Sequence, residues 1–94
     1  MSGGHFQYGQ YKIGQIADEI EQMVFRNDST EKDEYGYEKG HHFTPETVAK
    51  FKEAVTTLRK AHIMAQRVDW LVSCDDGEDS FHRRWADEME KLAE

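Results

Sequence analysis

TPETVAKFKEAVTTLRKAHIMAQRVDWLVSC, residues 44–74, has the pattern of one uninterrupted helix and is the longest regular element that the sequence predicts. Thr44 can cap its N-terminus, and Pro45 suits the first helical position because its missing N–H would be unpaired there in any case. No further Gly or Pro occurs before Gly77. Such a helix spans roughly 45 Å, whereas a compact chain of this length has a radius of gyration of about 12 Å. The helix must therefore protrude, bend or pack against another copy.

Apolar residues recur along this stretch at spacings of three and four, as on a helix with one buried face. The stripe comprises Val48, Phe51, Val55, Leu58, His62, Ala65, Asp69 and Val72, and is broadened by Ala54, Ala61, Val68 and Leu71. His62 and Asp69 are its polar members. They share a face but lie about 10 Å apart along the axis, too far for direct contact within one copy.

Two shorter helices are predicted, over residues 12–26 and 80–93, each with an apolar stripe. Between the first and central helices, residues 27–43 form a polar loop that is rich in turn-forming residues. After the central helix, the acidic turn DDGED places Gly77 where a left-handed conformation is expected. The whole chain, residues 1–94, therefore predicts a single all-α domain of three helices, with the first and third packed on the second.

The N-terminal segment, residues 1–11, is predicted to be an extended arm. Phe6 and Tyr8 alternate as they would in a short strand, and Tyr35 and Tyr37 in the polar loop do the same. The two pairs could form a minor two-stranded β ribbon beside the helices. The arm's aromatic side chains would then either cover an edge of the core or contact a ligand, and covering the core is the simpler role.

The apolar stripe of the central helix is too long for helices of about 15 and 14 residues to cover. We therefore expect a homodimer or a higher symmetric oligomer through the central helix, with Leu58 and Ala65 at the interface. The alternative is a monomer in which the central helix bends.

The formal charge of −7 argues against nucleic-acid binding, which depends on neutralising phosphates. The acidic charge lies outside the central helix, since residues 45–74 carry five basic and three acidic residues. Cys74 is the only cysteine, which favours a reducing compartment, and no apolar run approaches the roughly 20 residues that cross a membrane. We find no catalytic, phosphate-loop or metal-binding motif, so neither an enzyme, a cofactor nor a metal is expected.

Four segments resemble a family of small phage and prophage proteins: MSGGHFQY (1–8), IADEIEQ (16–22), DWLVS (69–73) and DDGEDSFHRR (75–84). The resemblance covers most of the chain outside the polar loop. It implies a phage origin, and hence the cytoplasm of a bacterial host, rather than a particular activity. Small accessory phage proteins often inhibit host immunity proteins or sequester their nucleotide signals, so counter-defence is the role that the resemblance leads us to expect.

Guanidinium groups beside an aromatic side chain suit a nucleotide-like anion. The candidate ligand-binding residues are Phe6, Tyr8, Arg59, His62, Asp69, Trp70, Arg83 and Arg84. In this interpretation His62 and Asp69 lie in a cavity between helices or subunits. Trp70 lines the cavity, and Arg59, Arg67, Arg83 or Arg84 reaches into it. Structural roles are the alternative: a hydrogen-bonded histidine in the core, and a carboxylate that caps a helix or pairs with an arginine.

Two functional classes remain open beside a structural accessory protein. A sequestering protein would hold a small anionic, nucleotide-type ligand or immune signal. An acidic decoy would instead bind a host defence protein that normally binds nucleic acid. Its surface would be formed by Asp18, Glu19, Asp75, Asp76, Glu78 and Asp79.

Overall fold

The computed structural model describes residues 6–93 and contains three helices: α1 (Gly9–Phe25), α2 (Pro45–Val72) and α3 (Glu78–Ala93). Of the described residues, 69% are helical, which confirms the all-α prediction. The boundaries differ slightly from those predicted. α1 begins three residues earlier, α3 begins two residues earlier, and α2 ends two residues before Cys74.

The start of α2 follows the sequence prediction. Thr44 has extended backbone geometry, and its Oγ1 accepts a hydrogen bond from the Thr47 N–H at 3.4 Å. Pro45 is the first helical residue, and Glu46 in the first turn complements the positive end of the helix dipole. These local features fix where the helix begins.

The prediction that Gly77 is the left-handed residue in the turn after α2 is wrong. Cys74, not Gly77, adopts the left-handed conformation, with φ of 63°. The Asp75 N–H donates to the Trp70 carbonyl at 2.9 Å, and the Cys74 N–H donates to the Leu71 carbonyl at 3.2 Å. These two bonds define a Schellman motif, which requires the left-handed residue immediately after the helix. Gly77 lies too far along the chain to fill that position.

The predicted extended arm is wrong over the part that the structure describes. Residues 6–8 form a turn, and Gln7 and Tyr8 both have positive φ, 54° and 62°. The Gly9 N–H donates to the Phe6 carbonyl at 3.0 Å, and α1 follows directly. Residues 1–5 of the predicted arm lie outside the described residues.

The predicted β ribbon is also absent from residues 6–93. Tyr35 and Tyr37 do not pair with the N-terminal segment, and the one bridge recorded there joins Lys32 to Glu38 within the polar loop. Asp33 organises this hairpin, because its Oδ1 accepts the N–H groups of Tyr35 and Tyr37 at 2.9 and 3.1 Å. The alternating aromatic residues therefore belong to a local turn.

Asn27 closes the base of the polar loop. Its Nδ2 donates to the Phe43 carbonyl at 3.1 Å, and its Oδ1 accepts the Phe43 N–H at 2.9 Å. The His42 N–H donates to the Asn27 carbonyl at 2.9 Å. Gly40 is buried against this junction, where a Cβ would lie 2.5 Å from the Asn27 carbonyl oxygen. The loop is thus held in a defined conformation by the hydrogen bonds of the Asn27 side chain and by the close packing of Gly40 on the Asn27 backbone.

α1 and α3 both pack on α2, but they make no contact with each other within residues 6–93. The molecule is elongated and flat, 52 × 27 × 14 Å, with a radius of gyration of 17.1 Å. Ala17 and Val55 are the apolar side chains that are buried in the described part of the chain. In the same part, no helix is long and apolar enough to cross a membrane.

Candidate functional site

The eight predicted ligand-binding residues do not form one cavity. Phe6, Tyr8 and Asp69 lie where the N-terminal turn meets α2, Arg59 and His62 lie where α1 packs on α2, and Trp70 and Arg84 lie between α2 and α3, with Arg83 beside them at the start of α3. The three groups have different electrostatic environments.

Asp69 joins the N-terminal turn to α2. Its Oδ1 accepts the Phe6 N–H at 3.2 Å, and its Oδ2 accepts Gln10 Nε2 at 3.0 Å. Gln10 Nε2 also donates to Gln66 Oε1 at 2.7 Å. Asp69 is 0% exposed and Gln10 is 2% exposed. A carboxylate enclosed in this way anchors the start of α1, and it cannot touch a ligand unless the N-terminal turn moves.

Arg59 ties α2 to α1. Its two terminal nitrogens each lie 3.1 Å from a carboxylate oxygen, one of Asp18 and one of Glu21. Burial opposes the charge of the guanidinium, but hydrogen bonds to both carboxylates, and their negative charges, outweigh it and hold the pKa of Arg59 above its ordinary value. One positive charge faces two negative charges, so this site has no excess positive charge for an anion.

His62 lies against α1 beside this ion pair. Its ring meets the ring of Tyr11 edge-on, with centroids 5.8 Å apart. A Cβ added to Gly14 would lie 2.8 Å from His62 Nδ1, so glycine at this position lets the imidazole approach the backbone of α1. Tyr11, Arg59 and His62 also line an open groove of about 280 Å³. The groove has an aromatic wall, but the neighbouring Asp18 makes it unfavourable for phosphate.

Trp70 lies between two arginines. The guanidinium carbon of Arg67 is 4.7 Å from the centre of its ring, and that of Arg84 is 5.7 Å away. Both distances fall within the range of cation–π attraction. The ring therefore orders two cationic side chains, and it is not a bare platform for stacking a ligand.

Arg67 is the buried member of this cluster, at 5% exposure. Its Nε lies 3.1 Å from Glu88 Oε1, a distance that makes an ion pair, although the N–H does not point at the oxygen well enough for a hydrogen bond. Its Nη1 lies 3.9 Å from Asp76 Oδ2. Two carboxylates thus compensate the buried guanidinium, as the cost of burying an unpaired charge requires.

Asp76 connects this cluster to the turn before α3. The hydrogen bond from the Ser80 hydroxyl lowers the pKa of Asp76. Burial opposes that effect, while the charges of Arg84 and Arg67 and the Gly77 N–H reinforce it. The carboxylate is therefore held ionised between α2 and α3.

Arg83 and Arg84 differ from the other arginines of the candidate set. Both are exposed, and neither pairs with a carboxylate within 4.0 Å among residues 6–93. Arg84 is also held near Trp70. A guanidinium that is exposed and forms no close ion pair can bind a phosphate or carboxylate in bidentate fashion. Its exposure, its position over the Trp70 ring and the lack of a carboxylate within 4.0 Å among residues 6–93 make Arg84 the strongest anion-binding candidate.

Sequence reasoning missed Gln10 and undervalued Arg67. Gln10 lies in the segment that was predicted to be an extended arm, so its helical position next to Asp69 could not be anticipated. Arg67 gave a usable signal, because it lies three residues before Trp70, a spacing that brings two side chains together on a helix.

The carboxylates of the predicted decoy surface are divided by the fold. Asp18 is bonded to Arg59, and the Asp76 side chain is only 3% exposed. Glu19, Glu78 and Asp79 remain exposed. Across residues 6–93, no group of three or more His, Cys, Asp or Glu side chains is arranged to hold a metal ion. Comparison with known proteins gave no family model, no curated protein and no solved structure that matches the chain.

Proposed function

We propose that this chain is a phage-encoded binding protein that sequesters a small anionic ligand of the nucleotide type, as a counter-defence factor in the cytoplasm of a bacterial host. The phage setting rests on the resemblance of the sequence segments described above. The ligand class rests on the chemistry of the surface where α3 begins. No catalytic group is required for this role.

One observation carries the proposal: Arg84 is exposed, lies over the Trp70 ring and has no carboxylate within 4.0 Å among residues 6–93, so that only the longer-range attraction of Asp76 acts on it, whereas Arg59 and Arg67 each form ion pairs with two carboxylates. Charge-assisted hydrogen bonds to a phosphate contribute about 1.5 to 3 kcal/mol each, provided that the donor is not already engaged. Arg84 meets this condition, and Trp70 limits the freedom that its side chain would lose on binding.

Arg83 is next to Arg84 in sequence, but neighbouring residues on a helix point about 100° apart. Arg83 therefore adds positive potential, and of the two arginines Arg84 is the one that lies over the Trp70 ring. This difference provides a matched control, because replacing either arginine removes the same charge from the same helical turn.

The test is calorimetric titration with a panel of cyclic dinucleotides, cyclic trinucleotides and ADP-ribose derivatives. We expect at least one to bind, Arg84→Ala to weaken that binding by about 10-fold or more, and Arg83→Ala to weaken it by about two- to three-fold. Lys60→Ala, an exposed change on α2, should have little effect. Circular dichroism should show unchanged helix in all three variants.

Absence of binding across the panel would refute sequestration of this ligand class. Equal losses for Arg84→Ala, Arg83→Ala and Lys60→Ala would show that only overall charge matters. Binding that survives Arg84→Ala unchanged would place the site on a different surface, and the groove beside Tyr11 and His62 would be the next to test.

A further inference from the structure

One face of α2 has the spacing of a coiled-coil seam. Its residues alternate at intervals of three and four, which is the 3.5-residue repeat that keeps one helix in register with another. This heptad face consists of Phe51, Ala54, Leu58, Ala61, Ala65, Val68 and Val72. Phe51, Leu58, Ala65 and Val72 occupy one of the two core positions of the repeat, and Ala54, Ala61 and Val68 occupy the other.

Neither α1 nor α3 buries the heptad face. Six of its seven residues are half-buried, and the seventh, Val72, is 48% exposed. At 100° per residue the face lies opposite Arg67 and Trp70, which contact α3. The polar contacts with α1 come from Arg59 and Gln66, on another side of the helix, and from Asp69, at the edge of the face that Phe51 occupies. The Phe43 ring also contacts Phe51, with centroids 5.4 Å apart. One edge of the face is therefore covered, and the rest is only partly covered.

The heptad face also excludes charge. The positions that flank it on its open side, at intervals of seven, are Lys50, Thr57, Met64 and Leu71. Together with the seven core positions they make eleven neighbouring sites with one charged residue, Lys50 at the N-terminal end, although 33% of the chain is charged. A solvated helix face in such a chain would carry about four charges, so the strip has the composition of a buried contact.

The exposed area of the chain is large enough for a stable contact. Its accessible surface is 6944 Å², whereas a folded monomer of 11.0 kDa exposes about 5,600 Å². The excess of about 1,300 Å² exceeds the roughly 800 Å² that each partner buries in a standard interface. The elongated shape and the few buried apolar side chains agree with a fold that lacks its second layer.

We infer that a second copy of this chain supplies that layer, with the heptad faces of two α2 helices packed against each other. A helix face with a 3.5-residue repeat packs best against another face with the same repeat, and the heptad face of a second α2 has that repeat. The centre of the face lies near Ala61, so a two-fold axis there brings the face onto itself in antiparallel orientation. Alanines at Ala54, Ala61 and Ala65 allow a close approach of the two helices.

The first test is the mass of the full chain at micromolar concentration, by light scattering after size exclusion. We expect at least twice 11.0 kDa. Ala61→Glu should lower the mass or abolish folding, because it places two carboxylates together at the seam. Ala49→Glu is the matched control, since Ala49 is exposed and lies on the opposite side of α2, and it should leave the mass unchanged.

A second test remains decisive if Ala61→Glu fails to fold. In a Cys74→Gly background, Ala61→Cys should form a covalent dimer under mild oxidation in high yield, and Ala49→Cys should not. A mass of 11.0 kDa for the unmodified chain would overturn the inference. So would an oligomer whose mass is unaffected by Ala61→Glu, or equal cross-linking through both cysteines. None of these outcomes depends on ligand binding, so this inference can fail independently of the proposed function.

Discussion

Gln10 Nε2 lies 3.0 Å from Asp69 Oδ2, and both side chains are shielded from solvent. The contact joins the first turn of α1 to the last turns of α2, 59 residues apart in the chain. Asp69 also accepts the Phe6 N–H, so one carboxylate holds both the N-terminal turn and the start of α1. The position of the aromatic side chains before α1 therefore depends on a residue near the end of α2.

Asp69→Ala should destabilise the protein strongly. The change leaves the Phe6 N–H and the Gln10 amide without their carboxylate acceptor in a buried site, at a cost of about 2 to 4 kcal/mol in the free energy of unfolding. Urea denaturation measures the effect, with Glu19→Ala on the exposed face of α1 as a control that should change stability by less than about 0.5 kcal/mol. Similar stabilities for the two variants would show that the buried network contributes little.

Cys74→Gly should stabilise the protein by about 0.5 to 1 kcal/mol. Cys74 holds φ of 63° in the Schellman motif that ends α2, and a residue with a Cβ is strained there whereas glycine is not. Cys74→Ala removes the thiol but keeps the Cβ, so it should give no such gain. Chemical denaturation of the two variants separates the backbone effect from loss of the thiol, and an equal response would contradict the first explanation.

Gly40→Ala should disrupt the polar loop. A Cβ at this position would lie 2.5 Å from the Asn27 carbonyl oxygen and 2.7 Å from the Ser29 nitrogen, and backbone atoms cannot turn aside as a side chain can. We expect a loss of more than about 2 kcal/mol, or faster hydrogen exchange at the amides of His42 and Phe43. Gly9→Ala is the control, because, apart from its chain neighbours and the backbone of α1, its added Cβ has no atom of residues 6–93 within 4 Å. Unchanged exchange in Gly40→Ala would mean that the junction adjusts easily.

The stability conferred by Asp76 should depend on pH. The hydrogen bond from Ser80 and the nearby arginine charges lower the pKa of Asp76 in the folded state despite its burial, whereas in the unfolded chain it has its ordinary value of about 3.9. Its contribution is therefore full above about pH 4 and is lost as the pH falls through the lower folded-state pKa. The midpoint of thermal unfolding of Asp76→Asn should lie below that of the wild type at pH 7, and the gap should narrow below pH 4. A gap that is constant from pH 7 to pH 3 would exclude ionisation of Asp76 as its cause.

The sequence by itself determined the three helices and the start of α2, because these depend on local features. Periodic apolar residues select a helix, and Thr44 and Pro45 mark its first turn within a few residues of the chain. The end of α2 was less determined, because any residue that tolerates the Schellman geometry can fill the left-handed position, and Cys74 does so in place of Gly77.

Only the tertiary structure decided which polar groups meet. The sequence placed His62 and Asp69 on one apolar stripe, but it could not show that Gln10 encloses Asp69 while Gly14 and Tyr11 contact His62. The sequence also could not show that Arg59 forms ion pairs with two carboxylates of α1, whereas Arg84 has no carboxylate within 4.0 Å among residues 6–93. Helical propensity and periodicity act between residues a few positions apart, whereas the pairing of charges depends on how whole helices pack, and that is fixed by contacts 38 to 63 residues apart in the chain.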